Sequence, residues 1–127
     1  MKAYTDIEQS KKLAKILPLE SADMFLALDG TLPMMSKYID DGFVPADNTA
    51  IPCWSHAALL DILPHRIDDR YEVVMGKLSD IGGWYVMYMY DNVDDDVEHH
   101  AKYRVIHSNP IDACYEMILK LHEQNLL

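Results

Sequence analysis

Three groups of side chains in this 127-residue chain have types and spacings that could do chemistry. The first is Cys53 with His56. At i,i+3 the two share one side of a helical turn, where an imidazole could draw the proton from the thiol and the helix N-terminus would lower the thiol pKa. No third residue nearby is placed to orient the imidazole, so a cysteine buried in an apolar run is the plainer expectation. The second group is His99-His100 and His107 with Asp94-Asp95-Asp96 and Glu98. A structural zinc site uses four ligands at set spacings, and this set matches none of them. The acidic run also lacks the glycine and closing glutamate of a calcium loop, and it reads as a solvated hairpin tip. The third group is Trp84, Tyr85, Met87, Tyr88, Met89 and Tyr90. These are mostly core residues by pattern, but any that stay exposed are of the types enriched at protein interfaces. Cys114 lies on the apolar stripe of a C-terminal helix, as a core thiol would.

Phe25-Leu26-Ala27-Leu28-Asp29-Gly30-Thr31 resembles the first motif of haloacid-dehalogenase-type phosphatases, an apolar strand running into Asp-x-Asp-Gly-Thr. The nucleophilic aspartate of that motif falls at Ala27, which cannot form an aspartyl-phosphate, and the alternating β/α pattern does not follow. No phosphate-cradling glycine loop, Ser/His/Asp order or paired-carboxylate motif stands out. The chain is therefore assigned no catalytic, cofactor-binding or metal-binding residue, and no cofactor is expected.

The elements that must position these groups are legible to different degrees. Thr5-Asp6-Ile7-Glu8 fits a capping box, with Thr5 accepting from the Glu8 amide, and predicts a helix over 6–17 that Pro18 ends. Ile7, Leu13, Ala14 and Leu17 form its apolar side. Asp23–Leu28 is a short apolar run that predicts a strand. Residues 29–52 show no sustained period; they predict an irregular insertion at about 29–50, with one turn over Ser36–Ile39. Pro52-Cys53-Trp54-Ser55 opens a second helix capped by Ser55, with Leu59, Leu60 and Leu63 as its buried stripe. Asp68-Asp69 is a polar break. Strands follow over Tyr71–Leu78, with Tyr71, Val73 and Met75 on one side, and over Trp84–Tyr90, joined by a glycine turn. The second of these is apolar on both faces, as a central strand is. After a polar loop, Lys102–His107 is the last strand, with Tyr103 and Val105 inward. Asn109 caps the final helix, Pro110 takes its first position and Asp112 sits at its positive end. Ile111, Cys114, Tyr115, Ile118, Leu121 and His122 continue the stripe to about Asn125. The order α-β-loop-α-β-β-β-α predicts an α+β fold, a small antiparallel sheet packed with helices, in a single domain over 1–127.

Composition narrows the partners. The formal charge is −10, from 21 acidic and 11 basic residues, so the mean field repels a phosphate backbone and direct nucleic-acid binding is not expected. Lys2, Lys11, Lys12 and Lys15 make one small basic island, narrower than a nucleic-acid footprint. No apolar run is long enough to span a membrane, the N-terminal residues lack the apolar core of a secretory signal, and the two cysteines read as reduced thiols. A cytoplasmic location is the expectation. An edge strand with exposed tyrosines leaves self-association open.

Ile51-Pro52-Cys53-Trp54-Ser55, then Ala57-Ala58-Leu59-Leu60 and Leu63-Pro64, with Asn109-Pro110-Ile111-Asp112-Ala113-Cys114-Tyr115-Glu116-Met117, resemble a group of small gut-bacterial proteins of prophage-like or mobile contexts. Lys11-Lys12-Leu13 and Ile16–Met24 match the same group, while about Asp29 to Asn48 departs from it. More distantly the helix–strand–strand–helix core is similar to the phage α-β-α sandwich domain. That resemblance implies a fold and carries over no catalytic residue. The expectation is a non-catalytic protein-binding module of phage or mobile-element origin. The alternatives are a small enzyme using Cys53 as nucleophile and an acidic nucleic-acid mimic that acts as an inhibitor.

Overall fold

The structure is a computed structural model and describes residues 2–27, 34–35, 50–80, 82–91 and 99–127. It is α+β, as the pattern predicts, but its strands form two antiparallel sheets where the sequence suggested one. The chain divides into two compact units, Met1–Leu60 and Asp61–Leu127.

The first unit begins with helix α1 (Ile7–Ala14). Its capping box is one residue later than the sequence reading: Asp6 accepts from the Gln9 amide, and the Gln9 side chain accepts from the Asp6 amide. Thr5 is instead fully buried and pairs with Trp54. The buried side of α1 is Ser10 and Leu13; of the predicted apolar side Leu13 packs as expected, Leu17 beyond the helix is half-buried, and Ile7 and Ala14 are exposed. A short 3₁₀ turn, Leu19–Ser21, leads into strand β1 (Met24–Ala27). Strands β2 (Met34–Met35) and β3 (Ala50–Cys53) flank β1, each antiparallel to it, in the order β2-β1-β3. Both fall inside the span read as irregular or as the start of a helix. Pro52 explains the misreading, since a proline cannot donate in a ladder yet is tolerated on the edge strand that β3 is. The predicted turn over residues 36–39, with the rest of the insertion, lies outside the described residues.

Helix α2 (His56–Ile62) follows, and Ser55 caps it, accepting from the Ala58 amide at 3.2 Å. Leu59 and Leu63 are buried as predicted, whereas Leu60 is exposed.

The second unit is a four-stranded sheet in sequential order, β4 (Arg66–Ile67), β5 (Tyr71–Lys77), β6 (Trp84–Asp91) and β7 (His99–His107). Asp68 and Asp69, read as a break, are the turn between β4 and β5, and both have positive φ, 51° and 58°. Aspartate tolerates that region better than most residues, and the Arg70 amide closes the turn on the Ile67 carbonyl. Among the described residues of the next turn, Gly82 has a positive φ, 67°. Strand β6 is central, as predicted. Its partner β7 carries a bulge, because Val86 pairs with Val105 but Tyr88 pairs with Lys102, leaving Tyr103 and Arg104 opposite Met87. Tyr103 takes the left-handed conformation there, φ 55°, and is only half-buried beside the buried Val105, where a regular strand would set the two on one face.

Helix α3 (Pro110–Glu123) packs on β6 and β7. Its start is as the sequence predicts: the Asp112 amide donates to the Asn109 side chain at 2.9 Å, and Pro110 occupies the first turn. Its end is a left-handed cap at Asn125, where the Leu126 amide donates to the Leu121 carbonyl and the Asn125 amide to that of His122. Ile111, Cys114, Met117, Ile118 and Leu121 are fully buried, and with Val86, Tyr88 and Val105 they make the core of this unit. His122, placed on the stripe by pattern, is exposed.

Candidate functional site

The candidate nucleophile does not sit where the sequence put it. Cys53 is the last residue of β3, paired with Met24, and is fully buried. It therefore gains nothing from a helix N-terminus. Burial, reinforced by the Asp23 carboxylate, pushes its thiol up to about 12. A thiol so placed is protonated at neutral pH and is no nucleophile. The neighbouring carboxylate is committed elsewhere: one Asp23 oxygen accepts from the Ser55 amide at 2.9 Å and the other is hydrogen-bonded to the Ser55 hydroxyl. Asp23 and Ser55 are thus bonded to one another. Their bonds tie β1 to the start of α2, and burial lowers the His56 pKa. We expect the intact protein to show no fast thiol titration with a disulfide reagent at neutral pH, both cysteines appearing only on unfolding. A rapidly titrating Cys53 would restore the enzyme alternative.

Trp54, beside it, is fully buried and donates its indole N–H to the Ser21 hydroxyl at 3.0 Å. Cys114 lies inside the second unit, where burial raises its thiol to about 12. Of the histidine group, His107 faces Glu116 across β7 and α3. The side chains of His99 and His100, and the acidic residues 94–96 and 98, lie outside the described residues. Among the described residues no cluster of three or more His, Cys, Asp or Glu is placed to hold a metal.

The aromatic strand divides cleanly. Val86 and Tyr88 are fully buried on the α3 side, and the Tyr88 hydroxyl donates to the Pro64 carbonyl at 2.7 Å. Tyr85, Met87 and Met89 point to the opposite face and are half-buried. Cross-strand pairing sets Val74 beside Met87 and Gly76 beside Tyr85, with Ile106 on the far side of Tyr85. The Tyr85 ring lies over Gly76 so closely that a Cβ there would come within 2.5 Å of its hydroxyl. The absence of a side chain at 76 is what lets this ring lie flat on the sheet. Ile106 remains 41% exposed.

Where the β4–β5 turn meets this face there is a cavity of about 410 Å³, walled by Arg66, Arg70, Asp69 and Glu72. Its apolar surface comes from Val74, Met89 and Tyr90. Arg66 pairs with Glu72 at 2.7 Å, with both side chains half-exposed, so the pair contributes at most about 1 kcal/mol. The Arg70 guanidinium stacks on the Tyr90 ring, 5.1 Å from its centroid, and Tyr90 in turn tilts against Tyr71. On the other side of Tyr71, Lys102 lies 5.5 Å from the ring centroid and bonds to Asp68 at 2.6 Å, a hydrogen bond that raises the lysine pKa. Sequence reasoning missed both arginines. The signal was present, two acidic residues between Ile67 and Arg70-Tyr71, which is hairpin-turn chemistry, but a two-residue β4 is too short to show a period.

No family model, curated protein or solved structure gives a significant match to the chain. Among the described residues, no helix is long and apolar enough to cross a membrane.

Proposed function

We propose that this is a non-catalytic module of the cytoplasm that binds another protein. The observation that carries the reading is the second face of the four-stranded sheet, where Val74, Tyr85, Met87 and Met89 are only half-buried and Ile106 is exposed. Methionine adapts its shape to a partner, and tyrosine brings a large contact area at low entropic cost, which is why both recur at recognition surfaces. The same reading is supported by what the thiols do not offer, since Cys53 and Cys114 are buried and protonated. An origin in a phage or mobile element rests on the resemblance at Ile51–Pro64 and Asn109–Met117 and belongs to the proposal.

The acidic-mimic alternative needs one contiguous carboxylate face. Around the β4–β5 turn, Asp68, Asp69 and Glu72 are instead interleaved with Arg66, Arg70 and, from β7, Lys102, with Asp68 and Glu72 in ion pairs. That interleaving favours the protein-binding reading over mimicry.

The test is capture of partners by the tagged chain from a bacterial lysate, run in parallel with a Met87→Glu/Ile106→Lys double variant. A charge on each side of Tyr85 should abolish retention of a specific partner while leaving the circular dichroism and melting curve close to wild type. A partner retained equally by both proteins would count against this face, and a uniform background in both would count against the function.

A further inference from the structure

We propose that the cavity beside Arg66 and Arg70 is a binding site for a small oxyanion, a carboxylate or phosphate carried on an apolar, planar body. An arginine stacked on a tyrosine is by itself an ordinary surface contact. Three features set this one apart.

The first is the state of Arg70. Its guanidinium lies on the Tyr90 ring, and no acceptor on the protein takes any of its N–H donors among the described residues. Stacking fixes the plane of the fork and leaves its edge available, so part of the ordering that a bidentate bond to an oxyanion requires is already in place. The second is the turn that holds it. Two consecutive aspartates with positive φ place Arg66 and Arg70 on the rim of one cavity. The geometry is that of an ordinary hairpin turn, and its consequence is positional: residues 66 and 70, four apart in sequence, line one cavity. The third is the composition of the walls. Val74, Met89 and the Tyr90 ring give an apolar surface next to the two guanidinium groups. In a chain of formal charge −10, Arg66 and Arg70 balance Asp69 and Glu72, so the cavity is locally neutral and does not share the overall repulsion of anions.

The binding mode follows from those groups. The oxyanion takes two N–H donors from Arg70 and competes with Glu72 for Arg66, an exchange that is easy because the existing pair is half-exposed. The planar body lies against Val74 and Met89. At about 410 Å³ the cavity is in the range of small-ligand sites and admits a single-ring ligand. This goes beyond the protein-binding proposal and does not need it, because the probes below are small molecules and Met87 and Ile106 are not part of the cavity.

The experiment is an NMR titration of the full chain, observing the arginine Nε–H groups and the Val74 and Met89 methyl groups. The probes are benzoate, phenyl phosphate and inorganic phosphate. Benzoate or phenyl phosphate should give saturable shifts at Arg70, Val74 and Met89 together, with inorganic phosphate at least tenfold weaker. Benzoate alone saturating assigns the carboxylate, and phenyl phosphate alone assigns the phosphate. Arg70→Gln should weaken binding at least tenfold. Arg70→Lys should not restore it, because an ammonium cannot reproduce the fork, and Tyr90→Leu should weaken it while keeping both charges. No saturable shift with any probe overturns the proposal, as does an unchanged affinity in Arg70→Gln. Inorganic phosphate binding as tightly as phenyl phosphate overturns the ligand class, because the apolar wall would then contribute nothing.

Discussion

Above pH 9 the folded state will lose stability steeply, by roughly 3 kcal/mol for each pH unit, through its two cysteines alone. The cause is the burial of Cys53 and Cys114, whose thiols are pushed from 9.0 to about 12 in the folded protein. Between those values the unfolded chain releases a proton from each thiol that the folded chain retains. Unfolding is then favoured by proton release, and stability falls as pH rises; below 9 the contribution is complete. Tyr88 adds to the effect at higher pH, because burial, together with the nearby Cys114, raises its phenol above the ordinary 10.0. A loss of this size over two pH units is comparable to the whole stability of a small domain. Urea unfolding at a series of pH values from 8 upward measures the slope. Cys53→Ala and Cys114→Ala will each lower the stability at pH 8 by leaving a small cavity, yet each should remove about half of the alkaline slope. A slope unchanged in the double variant would mean that neither thiol is held protonated by the fold, and would reopen the case for Cys53 as a nucleophile.

The same burial separates what could be read from the sequence and what could not. Helix α3 was legible nearly to the residue, because its cap, its first-turn proline and its apolar period are all local properties of Asn109–Leu121. The central position of β6 was legible from the run of apolar residues between Trp84 and Tyr90. The two-sheet arrangement was not. A proline at 52 marks a break by local rules, and only the edge position of β3 makes it acceptable in a strand. The bulge in β7 was equally hidden, since alternation predicts Tyr103 beside Val105 on one face and nothing local demands a left-handed tyrosine.

The candidate sites follow the same division. For Cys53 the plainer expectation, a buried core thiol, holds; what the sequence misplaced is its element, a strand end beside Asp23 in place of a helix start. Arg66 and Arg70 drew no reading from the sequence, which marked only the polar break between them. Their common cavity exists only after the Asp68-Asp69 turn folds β4 onto β5. Exposure of one sheet face, on which the protein-binding proposal rests, was framed by the sequence as a question about the aromatic and methionine residues of 84–90, without saying which of them or which neighbours share the face. The residues on it include Met87, Met89 and Ile106, and the face is set by pairing register, which no single strand specifies.

The cap of α1 is the sharpest of these cases and yields a large effect. Thr5…Glu8 and Asp6…Gln9 both fit a capping box one residue apart, and local chemistry cannot choose between them. Long-range pairing chooses. Tyr4 bridges to Ser55, and the Thr5 amide donates to the Trp54 carbonyl at 3.0 Å. The Thr5 hydroxyl then accepts from the Trp54 amide at 3.0 Å, and with the Ser10 hydroxyl 2.8 Å away and bonded on to the Thr5 carbonyl, a closed chain of donors results. Thr5, Ser10 and Trp54 are all fully buried, so none of these groups has water as a substitute. Replacing Thr5 with valine preserves the shape and removes only the oxygen. It orphans the Trp54 amide and takes one partner from the Ser10 hydroxyl, and the expected loss is about 3 kcal/mol, at one to three for each unsatisfied buried group. Thr5→Ser keeps the oxygen and loses a methyl group, and should cost about 1 kcal/mol. Were Thr5 the helix cap, serine would be neutral and Asp6→Ala harmless; with Asp6 as the cap, Asp6→Ala should cost about 1 kcal/mol. Denaturant midpoints of the three variants therefore order as Thr5→Val well below the other two. A Thr5→Val protein as stable as Thr5→Ser would show that the Trp54 amide does not depend on this hydroxyl, and the long-range choice of cap would lose its basis.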